Sequence, residues 1–484
     1  MIDSRWFIAL GLGALVISSC SDDEDTDGPG TDAGRGGVGG GGRSAGGAAG
    51  LAGRAGASAG GSNAGSGSGD AGAAGEPGGE AGMPGGGGAG GQSSGESTCL
   101  FPSSAALAKA STPAGFCAWN WATGLDDVRG ITTDAEGNVL AVARGQGALV
   151  ALWDDDGDGV SSSSERATLV TQSGLNHGIA LHDGYLYASS ATTVFRWEYA
   201  GDRSPLGDAE TVVSGIPSGG HSTRTLAFDE EFLYVSVGSA GNVDDDSSRA
   251  RIRRFPIADL GNAPVTFGSG EVFADGLRNE VGLRFDAMGR LWGVENGRDD
   301  LEREDLGGDI HDDNPAEELN LFLEPGAFYG YPYCWTEFLL PSGVGMGPGT
   351  QWADPNNDAQ TDAWCRDPSN VVPPILSMQA HSAPLDLYFY AGSSFPAAYA
   401  GDLFITFHGS WNRDEPTGYK VMHVPFGDDG MPDGEPTPFL EYSGSGDEAS
   451  DWPHRPVGLT TLPNGVLLVS SDESDRILAV GYSP

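Results

Sequence analysis

The sequence predicts an all-β fold, a six-bladed β-propeller, preceded by a lipoprotein signal and a disordered glycine-rich tether. Three observations carry this. Beyond residue 98, short apolar, β-branched runs recur, each opening from a turn rich in Asp, Gly or Asn. Four successive turn-and-strand units begin at Asp134, His182, Asp229 and Asp286, which lie 48, 47 and 57 residues apart, near the length of one four-stranded blade. No helical period persists in this region, which leaves a β-sandwich as the weaker all-β alternative.

The chain opens on a targeting segment. Arg5 precedes an apolar run from Trp6 to Ile17, too short for a bilayer span of roughly 20 residues. The run ends Ile17-Ser18-Ser19-Cys20, which resembles the lipobox of bacterial lipoproteins and implies cleavage before Cys20 and acylation of its sulfur. Acyl chains contribute about 0.8 kcal/mol per buried methylene, so two or more anchor a protein stably. Residues 21–98 are almost entirely Gly, Ala, Ser, Asp and Glu, without the apolar side chains that offset ordering entropy. They read as a tether with a mean span on the order of 45–50 Å. The domain reading is therefore signal peptide 1–20, linker 21–98 and propeller 99–484.

The formal net charge is −43, from 25 Lys+Arg against 68 Asp+Glu. Such a surface repels phosphate backbones and anionic headgroups, which excludes nucleic acid and leaves the lipid anchor as the membrane contact. Cys99, Cys117, Cys334 and Cys365 remain after Cys20. An even number in an exported chain reads as disulfides, and proximity pairs Cys99 with Cys117 and Cys334 with Cys365. No CxxC spacing supports a metal site there.

The six hairpins are Asp134–Val142, His182–Ser189, Asp229–Ser236, Asp286–Val294, Gly401–Thr406 and Leu462–Val469. The 115 residues from Asp286 to Gly401 are about twice one blade, so an insertion occupies part of the stretch from Gly308 to Ala380. Propellers carry their active groups on loops around the central channel, and loop residues at strand starts therefore bear the functional weight.

Three segments hold polar residues that turn chemistry does not require. One is Gly220-His221-Ser-Thr-Arg224. A second is Gly276-Leu-Arg278-Asn279, leading to Asn296-Gly297-Arg298-Asp299-Asp300. The third pairs His408-Gly-Ser-Trp411-Asn412-Arg413 with His454-Arg455-Pro-Val-Gly458. In a chain poor in bases, Arg224, Arg278, Arg413 and Arg455 recur at comparable blade positions. Any one of them can pair with an abundant carboxylate. As a ring converging on the channel, the set would hold a polyanionic ligand through charge-assisted hydrogen bonds.

These motifs resemble the soluble pyrroloquinoline-quinone (PQQ) glucose dehydrogenase and aldose sugar dehydrogenase superfamily. The resemblance is carried by Gly276-Leu-Arg-Asn-x-x-Gly-Leu-x-Phe285, Glu318-Leu-Asn320 and Phe328-Tyr-Gly-Tyr-Pro332. His381-Ser-Ala-Pro-Leu385 and His408-Gly-Ser-Trp-Asn-Arg413 resemble its sorbosone-dehydrogenase-like branch, and the match covers about residues 120–484. The resemblance implies PQQ- and calcium-dependent oxidation of a sugar or sugar-derived aldehyde, with electrons passing to an external acceptor. It implies His221 as general base, with His177 as second choice. Arg278 and Asn279 would lie at the quinone carbonyls, and Gly297 and Arg298 would bind calcium through backbone carbonyls. Arg455 would clamp a PQQ carboxylate, with His408 or Arg413 near a further basic contact. Val457 stands where the glucose-active members carry a second base, Ser239 where a substrate-side acid is expected, and Arg298 where they have proline.

A separate calcium signal is Asp154-x-Asp156-x-Asp158-Gly159-x5-Glu165, the spacing of a twelve-residue oxygen-ligand loop. Without flanking helices it reads as an inter-strand staple. Two other functions fit a propeller of this kind: a non-catalytic carbohydrate-binding or surface-adhesion module, and a calcium-dependent lactonase-like hydrolase. The latter lacks a cluster of Asn, Asp and Glu as clear as the arginine set.

Overall fold

The computed structural model describes residues 97–484 apart from 263, 358 and 445–448. The expected signal peptide, Cys20 and the expected tether up to residue 96 lie outside the described residues. The described residues form six sheets of four or five strands and two two-stranded ribbons. The first strand of each large sheet contacts the first strands of its neighbours, closing a ring around one axis. These six strands are Val128–Thr133, Leu175–His182, Leu226–Phe228, Glu280–Phe285, Pro384–Phe389 and Pro456–Thr461. This is a six-bladed propeller, with blades one to six taken in that order, and the six hairpins read in the sequence join first to second strands.

The alternation of side chains along a strand explains why these runs are apolar throughout instead of half polar. In blade one, Val139 and Ala141 face blade six, where they pack with Val466, Leu468 and Ile477. Leu140 and Val142, one residue out of phase, face blade two and pack with Leu186, Ala188 and Trp197. The same exchange recurs around the ring: Val212 with Val235, Tyr234 with Leu283, Trp292 with Leu387, and Phe404 with Leu467. Each blade is thus buried on both faces, and the core is a circle of six interfaces.

The circle closes through chain ends. Blade six takes its first three strands from the C-terminus, and its outermost strand is Phe116–Thr123, paired antiparallel with Arg476–Tyr482. The Cys99–Cys117 disulfide and a bond from Thr98 N–H to the Tyr482 carbonyl, 2.9 Å, fasten the start of the domain to this strand. Cys334 and Cys365 also pair, tying down the excursion of blade four.

Blade four differs from the single insertion expected between Gly308 and Ala380. Its third and fourth strands, Glu317–Phe322 and Leu376–Met378, lie inside that stretch, so two excursions leave the blade. The longer contains the ribbon of Cys334–Thr336 with Gln351–Ala353, and its Ala327–Phe328 adds a parallel fifth strand to blade three.

Trp119 tests the closure. Its ring is buried and stacks on Phe101 at 4.8 Å, and its indole N–H donates to the Gly159 carbonyl at 2.7 Å. Trp119→Ala is expected to lower unfolding free energy by about 3–5 kcal/mol in urea melts. Leu100→Ala, at a position 68% exposed, should change it by less than about 0.5 kcal/mol.

Candidate functional site

At one mouth of the channel, the starts of the first strands meet the loops that follow the second strands. They enclose a small cleft of about 50 Å³. His221, Arg278, Asn279, Gly297, His408 and Arg455 line it, although they come from blades three to six.

Glycine makes the convergence possible. A Cβ on Gly238 would stand 2.5 Å from that of His221 and 2.7 Å from the Asn279 amide oxygen. Gly220, at φ +57°, would place its Cβ 2.4 Å from the Ser239 carbonyl. That close approach lets His221 N–H donate to Ser239 O at 3.0 Å, while Ser239 N–H donates to Arg278 O at 2.7 Å. The His221 ring is buried, and its Nδ1 lies 2.9 Å from the Ser239 hydroxyl.

Arg278 is held in a polar cage. Its guanidinium pairs with Asp299 at 2.9 Å and donates to the Asn242 carbonyl and amide oxygens at 3.1 and 3.2 Å. Burial alone would raise the Asp299 carboxyl, but the Arg278 charge, His381 and the Asn412 amide hold it well below the usual carboxylate range. Asp299 is therefore an anion at every physiological pH. Glu317 behaves oppositely. Burial pushes it up to about 7, against the pull of His381 and two amide donors, Gly297 N–H at 2.8 Å and Ala383 N–H at 3.0 Å. His381 and Ala383 adopt left-handed φ values of 57° and 52°, strain that turns this loop toward Glu317. His381 Nε2 donates to the His311 carbonyl at 2.6 Å, and its Nδ1 faces Asp299 at 3.6 Å.

The far wall is a second charge relay. Asp472 binds Arg129 at 2.6 Å and the His408 Nε2–H at 3.0 Å, and those partners hold its carboxyl far below the ordinary range despite burial. His408 is itself shifted downward, by burial first and then by the nearby Arg455 and Arg129 charges that oppose Asp472. It is thus a neutral imidazole with Nε2 protonated. Arg455 donates to the Gly409 and His408 carbonyls at 2.8 and 3.3 Å, and its guanidinium lies 5.5 Å from the Tyr419 ring centre.

Several expected site residues stand elsewhere. Arg224 is buried and donates to the carbonyls of Ala191, His221, Thr223 and Pro217, so it braces the His221 loop from behind and does not line the cleft. Arg413 donates to the carbonyls of Asp312, Ala380 and Glu415, outside the lining. The ring of four arginines is therefore two, Arg278 and Arg455. The Arg298 side chain turns away, its Nη1 donating to both carboxylate oxygens of Asp354. His177 lines the opposite mouth with Arg284 and Asp386 and does not border this cleft. In the acidic loop, Asp154, Asp156 and Asp158 bring carboxylate oxygens within 4.8 Å of one another, but Glu165 is not with them. Its carboxylate instead accepts the amides of Asp155, Asp156 and Ser162 and closes the loop.

Other residues enter that the sequence reading did not assign a role: Asn296, Asp299, Glu317, His381 and Asn412, with Trp411 51% exposed at the mouth. Beneath Arg278 lies a further buried group, Glu280, Glu295 and Glu318 on adjacent strands of blade four, with the Asn320 amide 3.2–3.5 Å from one oxygen of each. Burial and mutual repulsion raise Glu280 and Glu295, and burial pushes Glu318 up to about 7. An acid with a raised folded pKa holds its proton better folded than unfolded, so stability falls as pH rises from about 4.5 through about 7. Melting temperature is expected to drop between pH 5 and pH 7.5, and Glu318→Gln should flatten that decline in a calorimetric series.

The TrAA12-like family model matches residues 110–483. The chain is 34% identical over 393 residues to a pyrroloquinoline quinone-dependent pyranose dehydrogenase of Coprinopsis cinerea, covering 74% of this chain and 52% of that protein. It thus spans about half the length of that relative. It is 33% identical over 391 residues to a pyrroloquinoline quinone-dependent sugar dehydrogenase of Hypocrea jecorina, covering 75% of this chain and 86% of the other. Among solved structures, the holo form of the PQQ domain of the Coprinopsis pyranose dehydrogenase matches with TM-score 0.68 and 32% identity, over 78% of this chain and 98% of that one. A calcium structure of a Trichoderma reesei family AA12 carbohydrate-active enzyme gives TM-score 0.69 and 32% identity, over 77% and 96%. With the propeller, the cleft and these likenesses together, the chain belongs to the TrAA12-like family of the PQQ sugar dehydrogenase superfamily.

Proposed function

We propose that the chain is a quinoprotein dehydrogenase that oxidises a sugar or sugar-derived aldehyde, using PQQ and calcium bound in this cleft. The observation that carries the reading is the placement of His221, Arg278, Asn279 and Arg455 on one cavity, together with the sugar dehydrogenase relatives.

The donor set fits such a group. PQQ is a planar tricarboxylate, and Arg278, Asn279 and Arg455 offer cationic and amide donors for its oxygens. Val457, packed with Val281 and Leu385, supplies no charge, so the clamp rests on fewer bases than in the glucose-active members. Calcium would take the carbonyls of Gly297 and Arg298, beside the Asp299 anion. The acidic loop at Asp154, Asp156 and Asp158 is a second place for the same ion.

When bound, PQQ supplies the acceptor for the hydride that leaves the substrate carbon. His221 takes the hydroxyl proton, so that the carbon–oxygen double bond forms as the electron pair departs. Arg278 and Asn279 face the region where negative charge develops and would stabilise it. Buried walls exclude bulk water, and the exposed Trp411 ring offers an apolar face at the entrance. The reading includes export and a lipid anchor at Cys20, with electrons passing to an acceptor outside the cytoplasm.

Full-length protein given PQQ and calcium is expected to bleach a redox dye with at least one member of a broad sugar panel. His221→Ala should lower kcat by about 10²- to 10⁴-fold. Failure with every sugar contradicts the reading, and sugar binding that survives His221→Ala and needs no quinone would favour a carbohydrate-binding module. For the anchor, labelling by a fatty-acid probe should vanish in Cys20→Ser, and unchanged labelling would remove it.

A further inference from the structure

Beside the cleft lies a second cavity, of about 660 Å³, within the range of small-molecule sites. One wall is the loop after the second strand of blade four, with Asp309 and Asp312. Another is the matching loop of blade five, with Asn412 and Asp414, and the third is the blade-four excursion, with Leu339 and Pro341. Loops that follow second strands lie at the mouth that holds the cleft, so both openings share one face of the propeller. Asn412 lines both. Its side-chain amide donates to Asp299 on the cleft side, and its carbonyl accepts from the His311 imidazole on the other. Trp411, its neighbour in the chain, lines the cleft and is the one exposed aromatic ring among the described residues.

Two clamps hold the cavity open. Asn314, fully buried, donates to the Leu339 carbonyl at 2.6 Å and accepts the Phe338 and Leu339 N–H groups at 3.0 and 3.2 Å. Asp300 N–H donates to His311 Nδ1 at 3.0 Å, which puts the imidazole proton on Nε2, and that N–H donates to the Asn412 carbonyl at 3.0 Å. The carboxylates of the lining stay largely unused. Asp309 and Asp312 each spend one oxygen on a neighbouring backbone amide, and the Asp414 side chain has no partner among the described residues. They do not converge on an ion, since the acids close enough to hold a metal among the described residues are Asp154, Asp156 and Asp158. No Lys or Arg lines the cavity.

Spaced acceptors, apolar Leu339 and Pro341, and an exposed indole at the threshold suit a pyranose ring. Its edge hydroxyls donate to carboxylates, and its C–H faces rest on apolar and aromatic surface. We propose that this cavity is a saccharide subsite for the ring glycosidically joined to the one oxidised in the cleft, so that a neutral oligosaccharide is preferred to its monosaccharide. This rests on the reading of the cleft as a sugar dehydrogenase centre. With acids and no cation in its lining, the subsite repels uronic acids and sugar phosphates.

The test begins with binding, on full-length protein without added quinone, by ligand-observed NMR titration. The probes are glucose with cellobiose and maltose, mannose with β-1,4-mannobiose, and digalacturonic acid. At least one neutral disaccharide is expected to bind roughly tenfold or more tighter than its monosaccharide, and digalacturonic acid is expected not to bind. Asp414→Ala combined with Leu339→Ala should remove that advantage. Leu339 is 56% exposed and neither side chain belongs to a clamp, so the melting temperature should stay unchanged. In protein loaded with PQQ and calcium, the same double variant should lower the disaccharide-to-monosaccharide ratio of kcat/KM by a similar factor, through KM. The proposal is overturned if no disaccharide has the advantage, if the double variant keeps it, or if digalacturonic acid binds as tightly. Disaccharide binding that depends on Asp414 and Leu339, in a protein that never turns over, upholds the subsite and contradicts the dehydrogenase reading, so the two failures are distinct.

Discussion

The structure depends on closure of the blade ring by Phe116–Thr123, the N-terminal strand that completes blade six. Each blade is buried against two neighbours, so an open ring would leave two apolar faces in water and lose one of six interfaces outright. Trp119 and Trp121, both buried, sit on the closing strand, and the disulfide from Cys99 to Cys117 holds its start. Hydrophobic burial around a circle fixes the angular position of every first strand, and those strand starts are what place His221, Arg278 and Arg455 at one mouth.

On that frame the electrostatics of the cleft run against the composition. The chain carries 68 acidic residues and a net charge of −43, yet the cleft gathers Arg278, Arg455, His221 and His408. Its acids have separate tasks set by their surroundings. Asp299 and Asp472 stay ionised because guanidinium groups face them, whereas Glu317 and Glu318 are pushed up to about 7 because burial outweighs their hydrogen-bond donors. Such opposed shifts within one region are characteristic of sites built for chemistry or for holding ions.

Much of the fold was legible in the sequence because propeller hairpins are local. Asp134-Ala-Glu-Gly-Asn and Asp286-Ala-Met-Gly-Arg each combine a turn signal with an apolar strand, and both make first-to-second-strand turns. The third strand of blade four, Glu317–Phe322, went unread as a strand because it lies in the stretch given to an insertion, although Glu318-Leu-Asn320 stood out there as a motif. At the site, Arg278 and Asn279 were legible from a long motif. Arg224 misled because the number of arginines at blade starts says nothing about side-chain direction, and four backbone carbonyls captured this one. Glu317 had no local signal, and His381 stood in a quoted motif that assigned it no role, since the two meet only where a loop bent through left-handed His381 and Ala383 reaches Glu317, 64 positions earlier.

The central claim is that Arg278 and Arg455 hold an anionic quinone beside His221. Its most direct measurement is a titration of purified, calcium-loaded protein with PQQ, following the quinone absorbance, for the wild type and for Arg455→Ala. The account predicts saturable one-to-one binding weakened at least tenfold by Arg455→Ala, the effect of losing about 1.4 kcal/mol or more from a charge-assisted contact. Absence of saturable binding, or equal affinity in the two proteins, would contradict it.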